Sequence, residues 1–246
     1  MTPTTLAWRH FRLERKMFWR NPTAAFFSFV LPLIFLVLFG AISSQENLKI
    51  IVPGIAGLSV MATTFNALAN QMTFLRDAGV LKRMHGTPLP GASYLAGVLG
   101  NAATNAVVQV AIVVLASRFA FDLGWPKNWL DLVVFTFLGV ACFASLGVAF
   151  SHVIPNFEAA PAYTNIVFLP VIFISGVFYD VDTVPAFLRD IADALPLVHV
   201  INGFQGAFVT GAGLNDLLSD IAVLLLWTGL GVWGAIRGFR WDARNG

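Results

Sequence analysis

Six long stretches of apolar residues, each of about 20 residues or more, divide the chain of 246 residues. They cover residues 24–42, 50–74, 92–117, 132–154, 159–179 and 217–236. Each is long enough to cross a hydrocarbon core of ~30 Å as an α-helix, the form that satisfies backbone groups where lipid offers no hydrogen-bond partner. The pattern predicts an all-α membrane protein with six transmembrane helices in a single domain, residues 1–246.

Composition supports a membrane location. Hydrophobic residues make up 57% of the chain and charged residues only 11%, whereas a soluble domain is about 25% charged. The first 22 residues are basic and aromatic, and the apolar run that follows is longer than the core of a signal peptide. We therefore expect the first stretch to be retained as a span. The single cysteine, Cys142, excludes an internal disulfide.

Basic residues in the connecting segments predict the orientation. Eleven lie on one side of the six spans and four on the other. The first group is Arg9, Arg12, Arg15, Lys16, Arg20, Arg76, Lys82, Arg83, Arg237, Arg240 and Arg244; the second is Lys49, Arg118, Lys127 and Arg189. Because basic loops stay inside, both termini are expected in the cytoplasm, with the chain in the cytoplasmic (inner or plasma) membrane.

Three segments outside the spans are expected to be structured. Residues 1–22 mix cations with aromatic residues and predict a cytoplasmic amphipathic helix in the membrane interface, with an unstructured basic leader as the alternative. Residues 75–91 form a sizeable inner loop. Residues 180–215 contain two short apolar segments, 184–191 and 198–209, which predict a re-entrant helical hairpin on the outer side, with interfacial helices as the alternative.

The sequence offers little catalytic chemistry. Residues 86–91 begin like a phosphate-binding loop, but the essential lysine is missing and two prolines remove amide donors. The four histidines do not have the spacing of metal ligands. Ionisable residues are almost absent from the first five stretches, which disfavours an ion-coupled carrier. We expect no catalytic residue, no metal and no nucleic-acid partner.

Uncharged polar residues follow one face of two spans. Asn66 and Asn70 are four residues apart, as are Asn101, Asn105 and Gln109 in succession. Together with Phe65 they are candidates for a substrate path. The alternative is hydrogen bonding between helices, worth about 0.6 kcal/mol for each bond. The sequence leaves both readings open.

Two longer segments resemble a known family. Residues 75–89 read LRDAGVLKRMHGTPL, and residues 169–185 read LPVIFISGVFYDVDTVP, followed by Leu-Pro-Leu at 195–197. They are similar to the inner loop and to the fifth span with its outer hairpin in permease subunits of type-2 ABC exporters, of the daunorubicin exporter type. The resemblance covers nearly the whole chain.

The resemblance implies partners. A cytoplasmic ABC ATPase, in two copies, would bind ATP and magnesium, and a second permease would be a copy or a paralogue. The loop 75–91 would couple the ATPase to the membrane, unless it is only a solvated loop. Its candidate contacts are Arg76, Asp77, Lys82, Arg83, Thr87 and Pro88. Lys82 departs from the family, which often has Glu there, so partner charges are expected to differ.

These observations favour the transmembrane subunit of an ATP-driven exporter of lipophilic or amphipathic, drug-like molecules. Two alternatives stay open. One is export of a polysaccharide or a lipid-linked glycan, and the other is a membrane scaffold protein that transports nothing.

Overall fold

A computed structural model describes residues 3–20, 22–80, 83 and 91–238. Helix is the only regular structure in these ranges, which confirms the all-α expectation. The α-helices are α1 (Pro3–Arg20), α2 (Pro22–Ile42), α3 (Gln45–Met61), α4 (Ala67–Asp77), α5 (Gly91–Phe121), α6 (Trp129–Ser151), α7 (Ala160–Ile174), α8 (Ala186–Ala194), α9 (Pro196–Gln205) and α10 (Leu218–Gly238). Ala62–Asn66 and Gly206–Thr210 are π-helical, and Val181–Thr183 is a 3₁₀ turn.

Four helical segments are long and apolar enough to cross a membrane, counting only the described residues. They are Gln45–Asp77, Ser93–Phe121, Trp129–Ser151 and Leu218–Gly238. The first joins α3, a π-helical turn and α4 into one helix of 33 residues. Two shorter apolar segments, Phe29–Ile42 and Ala160–Ile174, fall on the other two stretches that the sequence predicts.

Helix α7 ends five residues before the predicted apolar stretch does. Gly176 adopts a positive φ of 71°, a conformation that glycine takes without strain and that commonly ends a helix. The Tyr179 hydroxyl donates back to the carbonyls of Phe173 and Ile174, which lie at the end of α7. These contacts turn the chain into the segment that carries α8 and α9.

Helix α6 lies at the centre of the core and packs against α3, α9 and α10. Glycines permit the close approach. A Cβ added at Gly139 would lie 3.1 Å from Val60 and 3.2 Å from Val200, and one at Gly231 of α10 would overlap the Ser145 hydroxyl. Eight of the ten residues of α9 are buried, so this short helix is part of the core.

Helix α1 confirms the helix predicted near the N-terminus, and it packs along α5. Gly97 makes room for it, because an added Cβ would lie 2.7 Å from the His10 ring and 2.9 Å from the backbone of Phe11. The His10 ring also contacts Tyr94, with ring centroids 4.5 Å apart. One face of α1 is therefore fixed against the protein.

Candidate functional site

An open groove of about 270 Å³ lies between α2, the α3–α4 helix and α7. Its walls are mainly apolar, with three polar side chains on one side. The lining residues are Leu31, Pro32, Phe35, Leu58, Ala62, Thr63, Asn66, Ala67, Asn70 and Phe168. The structure thus brings Asn66 and Asn70 into one groove, on the face that their spacing predicts.

The π-helical turn Ala62–Asn66 forms the centre of the polar wall. Thr63 and Thr64 donate their hydroxyls to the carbonyls of Ser59 and Val60 at 2.7 and 2.6 Å. Such side-chain hydrogen bonds compete with the backbone hydrogen bonds of the helix. Opposite this turn, Gly147 of α6 approaches so closely that an added Cβ would lie 2.7 Å from the Phe65 carbonyl oxygen. Single π-helical turns within α-helices are frequent at functional sites.

Asn66 presents a free acceptor. Asn70 donates to the backbone carbonyl of Asn66 at 2.7 Å and contacts the Thr164 hydroxyl at 3.5 Å. The side-chain oxygen of Asn66 is buried without a hydrogen-bond partner among the described residues. An unpaired buried acceptor costs roughly 1–3 kcal/mol.

Phe65 lies away from this groove. It is 4% exposed, and its ring contacts Phe150 of α6 with centroids 5.5 Å apart. It lines a separate apolar cavity of about 360 Å³ that also includes Trp227 of α10. Phe65 and the two asparagines therefore face different spaces, although they are close in sequence.

The polar residues of α5 face α1 and α2 instead of the groove. Asn105 accepts a hydrogen bond from the Arg15 guanidinium at 2.5 Å. Gln109 is fully buried and donates to the Phe29 carbonyl at 3.3 Å. Asn101 is 8% exposed on the same helix. These contacts match hydrogen bonding between helices, one of the two alternatives that the sequence left open.

Arg76 differs from the expectation that it faces an ATPase. It is 6% exposed, and its guanidinium donates to the carbonyls of Ser151 and Ile154 at 2.9 and 2.7 Å. Ser151 is the last residue of α6, where backbone carbonyls have no helical partner. Asp77 accepts from the Phe157 amide at 2.5 Å. The end of α4 is thus tied to the connection between α6 and α7.

Arg83 is exposed in the part of the predicted coupling loop that the structure describes, as is Asp77. Its guanidinium donates to the Ala78 carbonyl at 2.9 Å. Lys82, Thr87 and Pro88 lie outside the described residues. The assignment of the loop to an ATPase contact stays a prediction.

A buried cluster of polar side chains, which the sequence did not predict, joins α9 to α10. The His199 Nδ1 lies 2.7 Å from an Asp220 carboxylate oxygen, and Nε2 lies 2.9 Å from the Asp193 carbonyl. Asn202 donates to the same Asp220 oxygen at 2.9 Å. Burial lowers the pKa of His199, but these hydrogen bonds and the charges of Asp220 and Asp193 outweigh it and raise the pKa above its usual range.

Several helices long and apolar enough to cross a membrane, with an open and mainly apolar groove between them, are features of a membrane transport protein. The family model "ABC-2 type transporter" matches residues 4–209. The chain belongs to this family, which confirms the resemblance seen in the sequence. It is a multi-pass membrane protein and a permease.

Curated proteins that are similar to this chain include two named as permeases. The chain is 30% identical over 201 residues to the daunorubicin resistance ABC transporter permease protein DrrB1 of Streptomyces coeruleorubidus, covering 76% of this chain and 69% of the relative. It is 23% identical over 190 residues to the inner membrane transport permease YadH of Escherichia coli K12, covering 76% and 73%. It is 27% identical over 193 residues to nodulation protein J of Rhizobium leguminosarum bv. viciae, covering 78% and 73%.

Proposed function

We propose that this chain is the membrane-spanning subunit of an ATP-driven exporter that moves lipophilic or amphipathic small molecules out across the cytoplasmic membrane. The groove beside the π-helical turn carries the proposal, because mainly apolar walls with a few placed polar groups are typical of small-molecule sites. The same walls favour a lipophilic substrate over a glycan, whose hydroxyls need many hydrogen-bond partners. The daunorubicin resistance relative supports a drug-like substrate.

The proposed topology has six spans: α2, the α3–α4 helix, α5, α6, α7 and α10. Both termini lie in the cytoplasm, as the basic residues indicate. Helices α8 and α9 form a re-entrant hairpin from the outer side. The Trp227 indole, ten residues into α10, donates to the Ala194 carbonyl at the hairpin tip. At 1.5 Å per residue this contact supports a depth of roughly 14 Å.

The ABC-2 permease family normally partners with an ATPase subunit. We propose two ATPase copies, which bind ATP and magnesium, and a second permease that completes the groove. The chain, one transmembrane domain over 1–246, needs no cofactor of its own. Because Arg76 and Asp77 tie α4 to the α6–α7 connection, a push on the loop 75–91 would move α4, α6 and α7 together.

The groove is tested by substitution on its polar wall. In the purified complex in vesicles, Asn66→Leu and Asn70→Leu should each reduce substrate-stimulated ATP hydrolysis by about fivefold, since each removes roughly 1 kcal/mol of hydrogen bonding. Asn101→Leu is the matched control, because Asn101 lies on α5 away from the groove. Equal effects of all three variants, or none from the first two, would contradict this site.

The partner is tested by copurification from mild detergent. The proposal predicts a stoichiometric cytoplasmic ATPase that is lost in the Lys82→Glu, Arg83→Glu double variant and retained in Lys49→Glu. Arg76 is unsuitable for this test because its substitution would disturb the fold. A chain that purifies alone, with no ATP hydrolysis under several conditions, would favour the scaffold alternative.

A further inference from the structure

The face of α1 that points away from the protein combines cations with large apolar side chains. Arg12, Lys16 and Arg20 are exposed and recur at every fourth residue, so they form one stripe. Four apolar residues are also more than half exposed, a large apolar content for a face on water. They are Trp8 at 60%, Leu13 at 56%, Met17 at 54% and Trp19 at 57%.

Helical geometry gives these residues a definite order around α1. At about 100° per residue, the stripe of cations lies opposite Glu14 and Phe18, which face the rest of the chain. Trp8 and Trp19 lie together on one flank of the stripe, and Leu13 and Met17 lie on the other. The stripe therefore occupies the middle of the outward face, with apolar residues along each edge.

Contacts to neighbouring helices fix how this face is oriented. Glu14 accepts a hydrogen bond at 2.9 Å from Gln71, which lies six residues before the end of α4. With the orientation proposed above, this end is cytoplasmic, so α1 lies at the level of the inner headgroups. The Trp19 ring stacks on Phe29 of α2 with centroids 6.0 Å apart. Because α2 enters the hydrocarbon, the flank with Trp8 and Trp19 faces the acyl chains.

We propose that the outward face of α1 binds anionic phospholipids of the adjacent leaflet. The lipid phosphates contact Arg12, Lys16 and Arg20, and Trp8 and Trp19 enter the outermost hydrocarbon, where indole rings are favoured. The cationic stripe supplies charge complementarity to an anionic headgroup, and the exposed tryptophans suit the boundary between headgroups and hydrocarbon. A membrane surface satisfies both needs at once.

The test uses the purified full-length chain without its ATPase, so it is independent of the transport proposal. The chain in mild detergent is titrated with phosphatidylglycerol or phosphatidylcholine, and bound lipid is counted by native mass spectrometry. The wild type should prefer phosphatidylglycerol. Arg12→Gln with Lys16→Gln should weaken phosphatidylglycerol binding by about 30-fold, since each cation near an anionic surface contributes about 1 kcal/mol, and should leave phosphatidylcholine binding unchanged.

Lys49→Gln with Arg118→Gln is the matched control, because it removes one lysine and one arginine at the other end of the spans. The control should keep the preference for phosphatidylglycerol. Equal binding of both lipids by the wild type, or an unchanged preference in the α1 variant, would overturn the proposal. If the double variant does not elute as a folded species, Lys16→Gln alone gives the same comparison.

Discussion

Arg76 satisfies backbone carbonyls that α6 and the residues after it leave without helical partners. A guanidinium suits this position because it offers several donors in a fixed plane and can reach Ser151 and Ile154 together. The side chain is 6% exposed, so its hydrogen bonds are shielded from competing water. The residue therefore holds α4 against the α6–α7 connection.

We expect Arg76→Ala to lower the free energy of unfolding by roughly 3 kcal/mol, because two buried carbonyls lose a charged donor. Arg76→Lys should recover only part of this loss, since an ammonium does not reproduce the fork of the guanidinium. Arg83→Ala, at an exposed position, should change stability by less than about 0.5 kcal/mol. Thermal unfolding in detergent measures all three; comparable losses in Arg76→Ala and Arg83→Ala would contradict the assigned role.

When the Asp220 carboxylate is ionised, His199 makes its two hydrogen bonds with a proton on both ring nitrogens. One nitrogen faces the Asp220 carboxylate and the other faces the Asp193 carbonyl, and an ionised carboxylate and a carbonyl can only accept. In that state the ring is an imidazolium paired with Asp220. This pair joins the hairpin helix α9 to α10, and Asn202 adds a third bond.

The His199 pair predicts a dependence of stability on pH. Because the folded state raises the pKa of His199, its contribution is fully present below the unfolded value of about 6.5 and is lost as pH rises through the folded pKa. The wild type should thus lose stability relative to His199→Gln across that interval, as measured by unfolding at a series of pH values. Parallel curves for the two proteins would show that the pair contributes nothing.

At the scale of elements, backbone contact through glycine fixes how the helices pack. A Cβ at Gly54 of α3 would overlap the carbonyl oxygen of Val177, and that oxygen cannot move without moving the chain after α7. The apolar sequence of α3 could form the same helix with alanine at position 54. Only the packed arrangement requires glycine there.

Gly54→Ala should lower the free energy of unfolding by about 1–3 kcal/mol, the usual cost of overpacking a core. Gly229→Ala is a matched substitution in α10, where no atom lies within 4 Å of the added Cβ. It should leave stability unchanged or raise it by up to about 1 kcal/mol, since alanine favours helix over glycine. Thermal unfolding of the two variants checks the difference, and a tolerant Gly54→Ala would show that α3 is free to shift.

Hydropathy alone predicts where the spans lie along the chain, because the hydrocarbon imposes a length and an apolar composition on each span. Hydropathy predicts the ends of the helices less well. The end of α7 at Ile174 depends on the positive φ of Gly176 and on hydrogen bonds from Tyr179, which apolar composition does not reveal.

At the scale of the whole molecule, the basic residues predict which side of the membrane each connection faces. The connection between α5 and α6 carries Gly124, which is exposed and has no neighbour within 4 Å of an added Cβ. Arg83 is exposed in the segment after α4. The native Cys142 is fully buried, so the background of labelling is low.

Membrane-impermeant maleimide should label the Gly124→Cys variant in intact cells. It should label the Arg83→Cys variant only after the membrane is permeabilised, because the proposed topology puts this segment in the cytoplasm. The wild type measures the background from Cys142. The reverse pattern would invert the proposed orientation, and labelling of both variants in intact cells would exclude it.

The sequence by itself determined the all-helical class, the apolar segments, the amphipathic α1 and the family, because each of these depends on residues that are close in the chain or on a contiguous motif. Tertiary structure alone decided which polar residues share a space. Asn66 and Asn70 line a groove, whereas Asn105 pairs with Arg15, 90 residues away. Arg76 meets carbonyls 75 and 78 residues away, and His199 meets Asp220 on another helix. A buried polar side chain needs a hydrogen-bond partner, and the packing of helices that lie far apart in sequence determines which residue that partner is.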